Sequence, residues 1–129
     1  MTLLIDTHVL LWWWAAPTRI SPRVLALIRQ SDTRVLVSAA SAWEISTKWR
    51  IGKYPNGSAI ISQWEERLAA DRFGELPISA AQALKAGAII GDHRDPFDRM
   101  IAAQSLMESI PVASIDDAIS GLGAERIWA

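Results

Sequence analysis

Thr2-Leu3-Leu4-Ile5-Asp6 is an unbroken apolar run that ends on a carboxylate and passes directly into the helix-prone stretch Thr7 to Trp14. A strand hidden on both faces shows continuous rather than alternating apolar residues, which is the pattern of a parallel sheet covered by helices. In open parallel sheets, ligands sit outside the carboxyl ends of the strands. Asp6 therefore stands where a site is expected. Late in the chain, Pro111-Val112-Ala113-Ser114-Ile115 repeats the arrangement and leads into Asp116. Two strand ends thus offer two acids.

Between them, strand and helix signals alternate. Ser21-Pro22 pairs a capping hydroxyl with proline at the first helical position and predicts a helix to about Gln30. Arg34 to Val37 reads as a second strand, and Ser38 or Ser41 starts a helix carrying Trp43, Glu44, Ile45 and Lys48 that closes near Gly52. After the turn Tyr54-Pro55-Asn56-Gly57, the spacing of Ile60, Ile61, Trp64 and Leu68 predicts one helix over Ser58 to Arg72. A brief strand within Phe73 to Ile78, a helix from Ser79 to Ile90, and a helix from Asp95-Pro96 to about Ser109 follow. Ala124 to Trp128 reads as a final edge strand. The alternation predicts a three-layer α/β/α sandwich with a mainly parallel sheet, as a single domain over residues 1–129.

Composition narrows the function classes. A chain of 129 residues buries roughly two thirds of its unfolded surface, enough for a core without staples. Cysteine is absent, which removes disulfides and thiolate metal sites. The apolar N-terminus lacks a basic leader and runs into Pro17, and no stretch reaches the ~18 apolar residues of a membrane span. A soluble, unprocessed, cytoplasmic chain with no membrane partner is the expectation. The net charge of -1 gives no overall basic field, so any nucleic acid has to be held by local basic residues or bridging cations.

Four acids, Asp6, Glu44, Asp98 and Asp116, sit beside predicted strand ends or in first helical turns. Singly, each has a structural explanation. Asp6 can cap the helix from Thr7, Glu44 can pair with Lys48 at i,i+4, Asp98 suits a helix dipole, and Asp116 or Asp117 can cap the short segment before Gly121. Asp95 before Pro96 reads as a cap. Capping explains Asp6 least well, because an acid closing an apolar strand costs desolvation unless it is paired or binds a cation. Carboxylates gathered in one cleft repel one another until a cation neutralises them. With oxygen ligands and only two histidines, His8 and His93, which read as structural or substrate-adjacent, the set suits Mg²⁺ or Mn²⁺ rather than Zn²⁺. Such an ion completes its shell with phosphate oxygens, and phosphodiester hydrolysis is the matching chemistry.

Four blocks carry a resemblance. Leu4-Ile5-Asp6-Thr7-His8-Val9-Leu10-Leu11-Trp12, Val37-Ser38-Ala39-Ala40-Ser41-Ala42-Trp43-Glu44-Ile45, His93-Arg94-Asp95-Pro96-Phe97-Asp98-Arg99-Met100-Ile101-Ala102-Ala103-Gln104 and Val112-Ala113-Ser114-Ile115-Asp116 together resemble a PIN-domain ribonuclease of the VapC toxin type. The resemblance implies a metal-dependent endoribonuclease, the toxin of a type II toxin-antitoxin pair. It also implies RNA as substrate, a cognate antitoxin as partner, operator DNA bound only through the antitoxin, and a homodimer. Asp6, Glu44, Asp98 and Asp116 match the family's acidic quartet. Asp6, Asp98 and Asp116 would hold the ion directly or through water, and Glu44 would help position the ion or the attacking water. Ser114 and Ile115 depart from the family's usual residues, which makes the fourth block the least typical. Arg94 and Arg99 are candidates for steadying phosphate, with a solvated ion pair as the alternative for Arg99.

Trp12, Trp13 and Trp14 spread over about 200° of a helix, so they cannot all face one core. At least one is expected toward solvent or a partner, which makes the run a candidate antitoxin interface beside the alternatives of partly exposed core and, ranked last because no basic residues interleave the run, RNA stacking. Competing enzyme classes fit poorly. A receiver-type phosphotransfer domain needs a late lysine, but the last is Lys85; a haloacid-dehalogenase-type phosphatase needs an acid where His8 stands. A catalytically inactive PIN-like protein-binding module and a DNA-directed nuclease are the surviving alternatives.

Overall fold

The computed structural model describes residues 1–129 as a five-stranded, wholly parallel sheet with helices on both faces. The strands are β1 (Thr2–Ile5), β2 (Arg34–Ser38), β3 (Gly74–Leu76), β4 (Val112–Ala113) and β5 (Arg126–Ile127), in the spatial order β3-β2-β1-β4-β5. The helices are α1 (Thr7–Ala15), α2 (Pro22–Arg29), α3 (Ala39–Arg50), α4 (Gly57–Ser62), α5 (Trp64–Ala70), α6 (Ala80–Ala88), α7 (Pro96–Glu108) and α8 (Ala118–Gly121). The predicted α/β/α class and parallel sheet are what the fold shows.

β1 lies at the centre because Leu3, Leu4 and Ile5 are apolar on both faces and wholly buried. Leu3 and Ile5 join Val35 and Val37 of β2, Val9 and Leu10 of α1, Val24 and Ile28 of α2, and Leu68 of α5 in one core. Leu4 and Leu36 face the other way, onto Ala86 of α6, Met100 to Ala103 of α7, and Ile119 of α8. α3 serves both layers, with Ala40 on the second and Ile45 on the first. Register is tight at the β2–β3 seam. Leu36 pairs with Gly74, where an added Cβ would meet the Leu36 side chain at 2.8 Å.

Helix starts follow the local sequence. The Ser21 hydroxyl accepts from Val24 N–H ahead of Pro22, and Asp95 accepts from Phe97 N–H at 2.9 Å ahead of Pro96. Ser38, rather than Ser41, caps α3. The single helix expected over Ser58 to Arg72 is instead two, α4 and α5, broken at Gln63 (φ -112, ψ 17). The break lets the Trp64 indole pack edge-on against Trp14 and donate to Glu75 at 2.9 Å. No helix is long and apolar enough to cross a membrane.

Candidate active site

Successive strands leave β1 in opposite directions, β2 and β3 on one side and β4 and β5 on the other. The crevice between the carboxyl ends of β1 and β4 is the place such a sheet offers a ligand. Asp6 follows β1 directly, and Asp116 lies three residues beyond the end of β4. The N-terminus of α7 adds Asp98, and the loop before it adds His93.

Asp6 is only 4% exposed, and its Oδ1 accepts from Val9 N–H at 2.9 Å, so it caps α1 as well as facing the crevice. Burial pushes its pKa up to about 6; the Ser114 hydroxyl, the Val9 amide and His8 pull it down, and Asp98 adds repulsion. Asp98 is also raised, first by burial and then by Asp95 and Asp116, against the bond from His93. The ionised forms of both acids are thus strained in the way a cation would relieve.

His93, Asp98 and Asp116 offer ligand atoms that all lie within 4.8 Å of one another. His93 Nε2 is 2.8 Å from Asp98 Oδ2. Two carboxylates and an imidazole at this separation fit a divalent ion, and the imidazole brings a nitrogen atom beside the all-oxygen set expected from sequence. Sequence spacing alone gave no reason to prefer His93 over His8, which is exposed and stacks 5.8 Å from Trp12. Asp116 is exposed, with its N–H on Ser114 Oγ at 3.0 Å and its Oδ1 accepting from Ala118 N–H at 2.9 Å.

Glu44 stands apart from that trio. It is 3% exposed on α3 and paired with Lys48, the pairing that i,i+4 spacing allows. Burial lowers the Lys48 pKa, but the Glu44 bond and charge outweigh it, and the net shift is upward. The Lys48 ammonium also lies 5.5 Å from the Tyr54 ring.

The two arginines separate. Arg94 is exposed, as a phosphate contact requires. Arg99 is not free to hold phosphate: its Nε donates to Ala86 O at 2.9 Å, one terminal nitrogen to His93 O at 3.0 Å, and the other to Gly87 O and Ile89 O. Nor is it the solvated ion-pair partner of Asp98. A fork of fixed donors matches the orphan carbonyls at the end of α6, so Arg99 ties that helix end and the His93 loop to α7.

A buried polar chain stabilises the same helix. Ser38 Oγ donates to Gln104 Oε1 at 2.5 Å, and Gln104 Nε2 donates to Pro77 O at 3.2 Å and Gln82 Oε1 at 3.1 Å. Thr7 Oγ1 donates to Ser41 Oγ at 2.9 Å, linking α1 to α3 behind Asp6. Every buried side-chain polar atom has a partner.

The tryptophan run departs from expectation. None of Trp12, Trp13 and Trp14 is open to solvent: each is half-buried against a different element, Trp12 on Trp128, Trp13 on Phe73 and Trp14 on Trp64. Three indoles avoid sharing one core by having three sets of neighbours. Trp14 also lines an open cavity of about 580 Å³ with Leu11, Tyr54, Ile60 and Arg67.

The profile of the PIN domain matches residues 3–124. The chain belongs to the PIN-domain family. No match is found among curated proteins. Among solved structures, this PIN domain is similar to VapBC2 from Rickettsia felis bound to a DNA fragment from their promoter (TM-score 0.67, 13% identity, all of both chains covered). It is also similar to VapBC-1 from nontypeable Haemophilus influenzae (TM-score 0.62, 17% identity, 98% of this chain and 97% of that one). FitAcB from Neisseria gonorrhoeae gives TM-score 0.64 at 20% identity over 97% and 96% of the two chains. At these identities the likeness establishes a shared fold.

Proposed function

We propose that this PIN domain is a divalent-metal-dependent endoribonuclease and the toxin of a type II toxin-antitoxin pair. The observation that carries the reading is the convergence of Asp98, Asp116 and His93 in front of the buried Asp6, at the switch point of the sheet. Mg²⁺ or Mn²⁺ bound there supplies polarisation of a phosphodiester, a nucleophilic water at neutral pH and charge for the leaving oxygen. Asp98 and Asp116 are its direct ligands in this reading. His93 fixes the Asp98 carboxylate, and Asp6 contributes charge from below, ionised once an opposite charge is close. Glu44, held by Lys48, positions water from the α3 side.

RNA as the substrate rests on the family resemblance. A cognate antitoxin rests on that resemblance together with the VapBC and FitAcB structures that share the fold, whereas contact with operator DNA only through it and a homodimer rest on the resemblance alone. The deciding experiment is incubation of antitoxin-free protein with total RNA, plus and minus Mg²⁺, with mapping of the new ends. Discrete metal-dependent cuts are expected. Cutting of single-stranded DNA but not RNA would transfer the reading to a DNA-directed nuclease. No cutting of either, with metal shown to bind, would leave a protein-binding module.

A further inference from the structure

Beyond the exposed Arg94, the basic residues near the crevice are already engaged. Lys48 is paired with Glu44, Arg99 is committed to four carbonyls, and Arg126 is bound to Asp117 and to Ser114 O. A divalent ion held by Asp98 and Asp116 would neutralise the phosphate under attack, and Arg94 would be left for a neighbouring one. Neither charge touches the bases, which need a contact of their own.

Trp43 is placed to provide it. It is 52% exposed although it precedes the buried Glu44 on α3. Its ring centroid lies 4.6 Å from that of Phe97 at an interplanar angle of 74°. Phe97 is buried and precedes Asp98 on α7, so this edge-on aromatic pair joins the two helices that carry Glu44 and Asp98. Such a contact orients an indole while leaving much of its surface uncovered. Among the other tryptophans, Trp12, Trp13, Trp14, Trp64 and Trp128 are half-buried in the first core. Trp49 is exposed but packs its base on Gly57, away from the acids in sequence. On the β4 side, Ile115 is 50% exposed and directly precedes Asp116 in the chain.

We propose that Trp43 is the stacking platform for an unpaired nucleobase adjacent to the scissile phosphate, with Phe97 as the positioning residue that holds the indole edge-on. The inference rests on the nuclease reading above. Every base has a π-face, so such a platform supplies affinity with little sequence readout and requires a single-stranded or splayed-out substrate. Because stacking displaces no counterions, the affinity it adds is insensitive to salt.

The test uses short single-stranded RNAs carrying 2-aminopurine at successive positions, titrated against the full chain in an Asp98→Asn background with Mg²⁺. Stacking quenches that fluorophore. Quenching is expected at one or two positions flanking the mapped cut. Trp43→Ala should abolish it and weaken binding by about fivefold or more, the scale of base–aromatic stacking, with an unchanged slope against salt, while Trp43→Phe retains most of both. Trp43→Leu keeps an apolar cover over Phe97 without an aromatic face and gives the same answer if the alanine variant does not fold. Equal affinity and quenching in folded Trp43→Ala or Trp43→Leu would overturn the stacking role. So would loss of antitoxin binding with RNA binding intact, which would make Trp43 a protein contact. Cutting of RNA by the wild-type protein alongside unaltered binding by the Trp43 variants sinks only this inference. A wild-type protein that does not cut RNA and an Asp98→Asn background that does not bind it sink the nuclease reading and this one with it.

Discussion

His93 Nε2 lies 2.8 Å from Asp98 Oδ2, joining a loop residue to the first turn of α7 across the front of the crevice. Without that bond, burial and the neighbouring Asp95 and Asp116 are free to raise the Asp98 pKa further. His93→Ala is therefore expected to move the acid limb of the pH–rate profile upward and to weaken Mn²⁺ binding by roughly 10- to 100-fold, the scale for removing a ligand's support. Calorimetric Mn²⁺ titration and a pH–rate profile on the variant check both. An unmoved acid limb with unmoved Mn²⁺ affinity would remove His93 from the site.

Asp6 makes a pH prediction with a definite sign. Its folded pKa of about 6 is above the ordinary aspartate value of about 3.9, so the folded state binds the proton more tightly than the unfolded chain. Metal-free stability should accordingly rise as pH falls from above 6 toward 4, by about 3 kcal/mol at ~1.4 kcal/mol per unit, and be absent as a benefit above pH 6. Asp98 shifts in the same direction and adds to the trend. Asp6→Asn should flatten it and raise stability at pH 7 while abolishing cleavage, since asparagine also caps a helix. Saturating Mn²⁺ should stabilise the wild type by mass action, about 2.7 kcal/mol at a hundred times Kd, and the variant less. Chemical denaturation at pH 5 and pH 7, with and without Mn²⁺, provides every number.

Glu44 was ambiguous in sequence, and the fold sharpens the ambiguity into a measurement. A solvated i,i+4 pair contributes only about 0.3–0.5 kcal/mol, whereas Glu44 is 3% exposed and its removal leaves Lys48 without its partner. Glu44→Gln should cost about 1 kcal/mol or more and depress cleavage. A double-mutant cycle with Lys48→Met should give coupling above about 0.5 kcal/mol. Additive changes with intact cleavage would leave Glu44 with neither a catalytic role nor an energetic tie to Lys48.

What could be read from sequence was local. The apolar run ending at Asp6, Ser21-Pro22 and Asp95-Pro96 all declare themselves within a few residues, because caps and buried strands are built from neighbours. What could not be read spans the fold. Arg99 looks like a phosphate ligand until the carbonyls of residues 86 to 93 are placed around it, and Gln104 is mute until Ser38, Pro77 and Gln82 surround it. The split at Gln63 was hidden because Ile60, Ile61, Trp64 and Leu68 keep helical spacing through it. Helical periodicity placed three indoles on different sides of α1 but could not supply the three neighbours that half-bury them.

Arg99→Ala should cost about 2 kcal/mol, because it releases carbonyls at the end of α6 and frees the loop that carries His93. Arg99→Lys should not rescue it, since an ammonium cannot reproduce the planar fork. Amide hydrogen exchange should show faster opening at Ile89 to His93 in both variants. Normal protection there, with reduced RNA affinity, would restore the phosphate role that the geometry denies.

The antitoxin surface is best sought at Trp14 rather than across the whole run. Trp12 and Trp13 pack on Trp128 and Phe73, so truncating either opens part of the first core and should destabilise the free protein by a few kcal/mol, near the low end of the range for buried aromatics. Trp14 instead lines the cavity with Leu11, Tyr54, Ile60 and Arg67, while its Nε1 donates to Asp71 at 2.8 Å and Arg67 lies 5.2 Å from its ring. A rigid aromatic held this way at the wall of an open apolar groove has the character of an interface anchor. Trp14→Phe removes the donor but keeps the ring, whereas Trp14→Ala removes both. The alanine variant should weaken antitoxin binding by about 2 kcal/mol and the phenylalanine variant by less, with RNA cleavage by the free protein little changed, because the groove lies at the C-terminal end of α1 and Asp6 caps its N-terminal end. Affinity by calorimetry and cleavage on the same preparations decide it. Equal antitoxin affinity for folded Trp14→Ala would rule out this groove, and the partner would have to engage another face.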